Sequence, residues 1–225
     1  YATANSTGLQ AVKNWLAAVT SDAATLTNAT STTTLDSLLS TVKNNVASTG
    51  STFTLTVNAD NTTAHIFDAP IFTAPQTGNQ IQTLTSVDKL TGTAATDDVL
   101  NAILNATEVT TKPTMSGVEK VNLTAIAASI FDAANSTGIT EIGSIDSNSN
   151  LTVRNLAAGA TVVVKNTAAG GATGASTQVQ FANAAAAGTS DVATIKVDGV
   201  GRGAIAGNTQ ILNVRGETAG SFETL

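Results

Sequence analysis

The chain has 225 residues, of which 42% are hydrophobic, 12% are charged and 4% are aromatic. Thr, Ala, Asn and Gly make up 115 of the 225 residues. The high hydrophobic fraction excludes a solvated, highly charged disordered chain. The scarcity of aromatic side chains favours thin, regular β layers over one large aromatic-centred core.

The charge balance is acidic, with a net charge of −6, and Asp supplies 11 of the 16 acidic residues. An acidic surface repels phosphate backbones, so we expect no nucleic-acid partner. The absence of Cys excludes disulfides and thiolate metal sites. No apolar run approaches the ~20 residues that a transmembrane helix needs, so we expect no insertion into a membrane.

Residues 1–50 carry a helical pattern. Two segments, 8–19 and 34–46, have apolar residues at helical spacing, namely Leu9, Val12, Trp15, Leu16 and Val19, then Leu35, Leu38, Leu39, Val42 and Val46. This pattern predicts a helical block that ends near Gly50 and forms the tail of an N-terminal domain. We expect Trp15 to be a core anchor in it.

From Ser51 the apolar period changes to two. Phe53, Leu55 and Val57 alternate with Thr, which is typical of a half-buried strand. Short strands are also predicted at 118–123, 151–153, 161–164, 179–181, 193–197 and 211–214. Their spacing is too short for βαβ units with full helices. Residues 51–225 are therefore predicted to be a mainly β domain, a β-solenoid or a stack of β layers. The C-terminal SFETL looks like the start of another strand, so we expect this domain to be truncated there.

The segment 87–100, VDKLTGTAATDDVL, concentrates oxygen ligands around a turn. Ca²⁺ takes 6–8 oxygen ligands from carboxylates, carbonyls and water. The predicted metal ligands are Asp88, Asp97 and Asp98, with oxygens of nearby Thr residues in support. The alternative interpretation is that these Asp residues cap turns, and that Thr96 or Asp97 caps a short helix over 98–104.

Two motifs resemble the RTX-type surface-layer proteins of Gram-negative bacteria. One is the turn in 87–104, and the other is SGVEKVNLT at 116–124, carried by Gly117, Val118, Glu119, Val121, Asn122, Leu123 and Thr124. The segment IFDAANSTGITEIGSI, at 130–145, resembles a further repeat of that family. Weaker matches to the second motif occur at 209–214 and at the C-terminal SFETL.

This resemblance implies a β-solenoid-like lattice domain with no enzymatic activity, secreted by a type I system. It implies an extracellular location in the cell-surface layer and Ca²⁺-dependent self-assembly into a two-dimensional lattice. It also suggests lipopolysaccharide as a partner of the N-terminal region. The glycine-rich nonapeptide of RTX repeats is absent, so an isolated calcium site is expected here, at a turn where Asp97 or Asp98 matches the motif's Asp. Asp60 and Asp68 are more distant candidates for ligands.

Two other functions share this composition. One is an adhesin or binding module of a large exported protein. The other is a β-helix enzyme that acts on polysaccharide, although the β region lacks Trp and Tyr and its Arg residues are only Arg154, Arg202 and Arg215. That composition argues against a sugar cleft with aromatic platforms. His65 is the only His, and we expect it at a turn or in a strand.

Overall fold

The computed structural model describes residues 6–39, 51–168, 175–186, 192–201 and 211–217. Within these ranges the chain is mainly β, with short helices at its N-terminal end. From residue 51 onward, the helical segments of the described residues are two short 3₁₀ helices, Ala133–Asn135 and Asn183–Ala186. The predicted helical N-terminal region and the mainly β region after it are therefore confirmed for the described residues, while the predicted boundary at Gly50 lies outside them.

The N-terminal region contains helices α1 (Ser6–Ala17), α2 (Ala23–Ala29) and α3, whose described part is 32–39. The Asp22 side chain accepts a hydrogen bond from the Ala24 N–H at 2.9 Å and so caps α2. Trp15 is half-buried, and its Nε1–H donates to the Ala29 carbonyl at 3.0 Å. Helix α2 was not predicted, because its sequence AATLTNA has no apolar stripe. The predicted helical residues 40–46 lie outside the described ranges.

The β region contains eighteen strands among the described residues. In chain order they are β1 (Thr52–Thr54), β2 (Asn61–Thr63), β3 (Ile66–Ala69), β4 (Ile71–Thr73), β5 (Gln80–Gln82), β6 (Lys89–Thr91), β7 (Val99–Leu104), β8 (Thr110–Thr111), β9 (Thr114–Ser116), β10 (Lys120–Ala125), β11 (Ser129–Asp132), β12 (Ser136–Thr137), β13 (Glu141–Ile145), β14 (Leu151–Leu156), β15 (Thr161–Lys165), β16 (Thr177–Phe181), β17 (Thr194–Asp198) and β18 (Leu212–Gly216).

Three of the sheets are entirely parallel. Sheet 1 has the order β1-β3-β7-β10-β13-β15-β17, sheet 2 the order β18-β16-β14-β11-β8, and sheet 3 the order β12-β9-β6-β2. Strands β4 and β5 form a separate antiparallel hairpin. The chain passes from sheet 1 to sheet 2 to sheet 3 and back through β7, β8, β9 and β10, and again through β10, β11, β12 and β13. Before β7 the described chain has no strand of sheet 2, and after β13 it has none of sheet 3. We call one passage between successive strands of sheet 1 a circuit.

Successive circuits stack in register. Val99 pairs with Lys120 and Lys120 pairs with Glu141, so residues that are 21 positions apart in the sequence lie side by side. The step from Ile66 to Val99 is longer, 33 positions, because the β4–β5 hairpin lies between them. The constant register aligns equivalent side chains of successive circuits in rows across the strands.

The core is a continuous cluster between the inner faces of the sheets. Sheet 1 contributes the row Phe67–Leu100–Val121–Ile142, in which every side chain is at most 1% exposed. Phe131 of sheet 2 and Met115 of sheet 3 belong to the same cluster. Outer-face residues alternate with these and remain half-buried or exposed, which explains the period of two in the sequence.

One detail of the sequence prediction needs correction. Residues 98–104 do not form a helix, because Val99–Leu104 is β7, which pairs with β3 on one side and β10 on the other. The pattern VLNAIL places Leu100, Ala102 and Leu104 on the buried face, as the register requires. Strand β3, which the sequence analysis did not identify, is the neighbour that makes this register possible.

Glycines occupy the corner between sheet 3 and sheet 1 in three successive circuits, at Gly92, Gly117 and Gly138. A Cβ atom built on Gly92 lies 1.6 Å from the Gly117 carbonyl oxygen and 2.6 Å from the Asp98 Oδ2. The Gly117 carbonyl belongs to the backbone of the next circuit and cannot move alone. Only glycine therefore fits this corner at the observed spacing of the circuits.

We expect Gly92→Ala to lower the free energy of unfolding by about 3 kcal/mol or more, because the stacked backbones must separate. Gly143→Ala is the matched control, since its Cβ would meet mainly the mobile end of Ile145, at 2.8 Å from Cδ1. That variant should lose about 1 kcal/mol or less. Urea unfolding of both variants measures the difference, and equal losses would contradict the glycine corner.

The SGVEKVNLT segment allows a second test, which concerns the register of strand β10. Val121 and Leu123, which share one face of β10 because they are two positions apart, are both fully buried, and Val118 is buried just before β10. Asn122 is on the outer face, where its Nδ2–H donates to the Asn101 Oδ1. We expect Leu123→Ala to cost about 2–4 kcal/mol and Asn122→Ala about 1 kcal/mol or less in chemical denaturation. Similar losses for the two would show that the register is wrong.

Candidate functional site

The predicted calcium segment folds as strand β6 with a polar corner at each end. Asp88 immediately precedes β6, while Gly92 follows it and starts the corner that leads through Asp97 and Asp98 to β7. The structure therefore brings Asp97 and Asp98 to one corner and places Asp88 at the opposite end of β6.

Asp88 has no solvent exposure. Its Oδ1 accepts a hydrogen bond from the Asp60 N–H at 2.9 Å, and its Oδ2 accepts one from the Thr85 N–H at 2.7 Å. Burial raises the pKa of the Asp88 carboxyl, and the two backbone hydrogen bonds partly oppose that rise. The bond to Asp60 joins two successive circuits, so this carboxylate is a structural link between them.

Asp98 is also fully buried. Its Oδ2 accepts from the Thr93 N–H at 2.6 Å, and its Oδ1 accepts from the Thr93 hydroxyl at 2.8 Å. The Nδ1 of His65 lies 2.6 Å from the same Oδ1. The Asp98 N–H in turn donates to the Glu119 Oε2 at 2.9 Å. His65, Asp98 and Glu119 thus connect three circuits at this corner, and His65 stands in a turn, as predicted.

Asp97 differs from the other two predicted ligands, Asp88 and Asp98, because its side chain is 64% exposed. Its Oδ1 lies 3.9 Å from the His65 Nδ1, a loose ion pair at most. Among the three predicted ligands it alone presents its carboxylate to solvent.

These positions favour the turn-capping interpretation for Asp88 and Asp98, since both oxygens of each already accept hydrogen bonds from the protein. The more distant candidates are also engaged: Asp60 accepts from the Thr56 N–H at 2.7 Å, and Asp68 accepts from the Asn101 amide at 3.0 Å. Within the described ranges, no group of three or more His, Asp or Glu side chains is arranged to hold a metal ion. A calcium site within this segment stays a prediction.

The sequence analysis missed an open groove of about 860 Å³ on the outer face of sheet 1. Its floor includes a row in which the Asn122 amide donates to Asn101, and the Asn101 amide donates to Asp68, each at 3.0 Å. The one available signal was the 21-residue spacing of Asn101 and Asn122, which equals the length of a circuit. That spacing is informative only once the register is known.

Comparisons with protein-family models, with curated proteins and with solved structures give no match for this chain. In the part of the chain that the structure describes, no helix has the length and apolar character needed to cross a membrane.

The buried carboxylate of Asp88 allows a test by pH. A raised pKa means that the folded state holds the proton up to a higher pH than the unfolded state. The contribution of Asp88 to the free energy of unfolding is thus greatest below its ordinary pKa of 3.8 and falls as the pH rises through the raised value. Subtracting the unfolding free energy of Asp88→Asn from that of the wild type should give a difference that declines with pH in this acidic range.

At neutral pH the Asp88→Asn variant should still be less stable by about 1–3 kcal/mol, because an amide offers one acceptor to two N–H donors. Asp97→Asn is the matched control and should change stability by less than about 0.5 kcal/mol. Denaturant titrations between pH 3 and pH 7 measure both effects. A wild-type-minus-variant difference that does not vary with pH would contradict the assigned environment of Asp88.

Proposed function

We propose that this chain is part of a structural cell-surface protein, exported and assembled with copies of itself into a two-dimensional layer. The observation that carries the proposal is the stack of circuits, which share one register from Phe67 to Ile195 on the inner face of sheet 1. Such a repeat supplies a stiff, extended body with no need for a catalytic cavity. The resemblance to RTX-type surface-layer proteins, and with it secretion by a type I system, belongs to the same proposal.

We further infer that the stacked layers form a β-solenoid. The order of the sheets is the same in the two circuits β7 to β10 and β10 to β13, and all strand pairs within the three sheets are parallel. In this arrangement each circuit buries its inner side chains against those above and below, as repeat proteins do. Stability then accumulates along the stack, which suits a protein that must resist mechanical load.

We propose that Ca²⁺ bridges neighbouring copies of the chain. The net charge of −6 makes copies of the chain repel one another, and a divalent cation shared by exposed carboxylates removes that repulsion. Asp97 is the predicted ligand best placed for this role, since Asp88 and Asp98 serve the interior.

The helical region supplies a candidate anchoring surface. Leu16 and Leu26 are 63% and 54% exposed, so α1 and α2 present apolar side chains to solvent. Contact with an amphiphilic envelope component such as lipopolysaccharide would cover them. This part of the proposal rests on exposure and on the resemblance alone.

The two alternatives make different demands on the structure. A binding module of a surface protein is favoured by the groove on sheet 1. A polysaccharide-cleaving enzyme needs a free acid and base, whereas the carboxylates of Asp68, Glu141 and Asp146 in that groove each interact with a neighbouring side chain. Those interactions argue for a non-catalytic protein.

We expect millimolar Ca²⁺ to promote assembly of the full-length protein and a chelator to reverse it, more strongly than NaCl of matched ionic strength. Light scattering and electron microscopy of the purified protein measure this. Asp97→Asn should weaken the calcium response, while Asp36→Asn, which removes another exposed carboxylate, should leave it intact. Ordered layers that form equally well with chelator would contradict the calcium bridge, and an absence of any layer would contradict the proposed function.

A further inference from the structure

The groove extends across the whole of sheet 1. Its lining includes residues from all seven strands of the sheet, from Thr54 in β1 to Lys196 in β17. Neighbouring strands are about 4.8 Å apart, so seven strands span about 29 Å. This length accommodates an extended polymer chain that runs across the strands.

The groove carries a small net negative charge. Glu141 is paired with Lys196, whose Nζ lies 2.9 Å from its Oε2, while Asp68 accepts from the Asn101 amide and Asp146 accepts from Asn166. With Lys165, the lining has three carboxylates and two ammonium groups, a net charge of −1. This charge opposes an anionic ligand and gives little attraction to a cationic one.

The groove also contains uncharged amide and hydroxyl groups that can form hydrogen bonds with a ligand. The Asn122 Oδ1 has no partner among the described residues, because the next position in its row is Gly143, which has no side chain. The Thr124 hydroxyl donates to the Ile145 carbonyl and keeps its own acceptor capacity. Half-buried aliphatic side chains, such as those of Ile103 and Val163, complete the floor.

We propose that this groove binds a linear, uncharged oligosaccharide, laid across the strands with its hydroxyl groups on Asn101, Asn122 and Thr124. A hydroxyl group both donates and accepts, which matches a surface of amide and hydroxyl groups better than a charged ligand would. The Asn101 and Asn122 amides lie side by side on neighbouring strands, so two units of a repeating ligand can bind to them at once. This site is independent of the proposed calcium bridge, because Asp97 does not line the groove.

An extended peptide is the other macromolecule of this shape, and the observations favour it less. Peptides that bind to sheets usually add a strand at an open edge, where backbone groups are free. This groove lies on a face, where the sheet's own pairing already uses the backbone. No aromatic residue lines the groove, so no ring is present there to stack on a sugar, and we expect affinity in the millimolar to high micromolar range.

The test is calorimetric and NMR titration of the full chain with neutral hexasaccharides: cellohexaose, maltohexaose, mannohexaose and chitohexaose. Hexagalacturonate and an uncharged hexapeptide are the comparison ligands. We expect at least one neutral hexasaccharide to bind saturably, and its disaccharide about tenfold more weakly, since fewer strands are engaged. Absence of binding by all four, or preferential binding of hexagalacturonate or the peptide, would overturn the proposal.

Three variants locate the binding. The double variant Asn101→Ala, Asn122→Ala should weaken binding about tenfold or more. Asn213→Ala, which removes an exposed Asn from the outer face of sheet 2, should not change it. Val163→Arg leaves the Asn row intact and places a long side chain across the groove, so it should abolish binding. Far-UV circular dichroism confirms that each variant is folded, and binding that survives in folded Val163→Arg would overturn the site.

Discussion

The in-register stacking of successive circuits is the constraint on which the rest of the structure depends. Phe67, Leu100, Val121 and Ile142 lie directly beside one another across four strands of sheet 1. Because each inner side chain must fit those of the circuits above and below, the interior consists mainly of aliphatic side chains, with Phe67, Phe131 and Phe181 as its largest members. At the corners, the backbones of successive circuits lie so close together that no side chain fits between Gly92 and the Gly117 carbonyl. The composition, rich in Thr, Ala and Gly and poor in aromatic residues, follows from this packing.

The same stacking determines what polar residues do. At the corners, buried carboxylates accept backbone N–H groups that would otherwise lack a partner, and Asp88 and Asp98 do so across or within circuits. On the outer face, the register aligns Asp68, Asn101 and Asn122, whose amides then hydrogen-bond along the row. Residues that look alike in the sequence thus have opposite roles. The buried carboxylates of Asp88 and Asp98 accept hydrogen bonds from backbone N–H groups, whereas the exposed carboxylate of Asp97 faces solvent.

The proposed lattice formation and the proposed saccharide binding are compatible in one molecule because they would use different surfaces. Asp97 stands at the corner between sheets 3 and 1, whereas the groove follows the outer face of sheet 1 and does not include it. A protein that coats a cell surface meets glycans on that surface and in its environment. A groove of modest affinity, repeated in every copy of a layer, would hold such a polymer by many weak contacts.

The sequence by itself determined the helical N-terminal region, the mainly β character that follows, and the burial of Val121 and Leu123, because these depend on local periodicity. It could not distinguish a strand from a helix at 98–104, because the apolar residues of VLNAIL (99–104) are compatible with either element. Only the pairing of this segment with β3 and β10 decides between them. Nor could it show that Asp98 is buried against His65 while its neighbour Asp97 is exposed. Tertiary structure decided these points, and the groove as well, because stacking brings together residues 21 to 33 positions apart. Alternation along one strand carries no information about its neighbours.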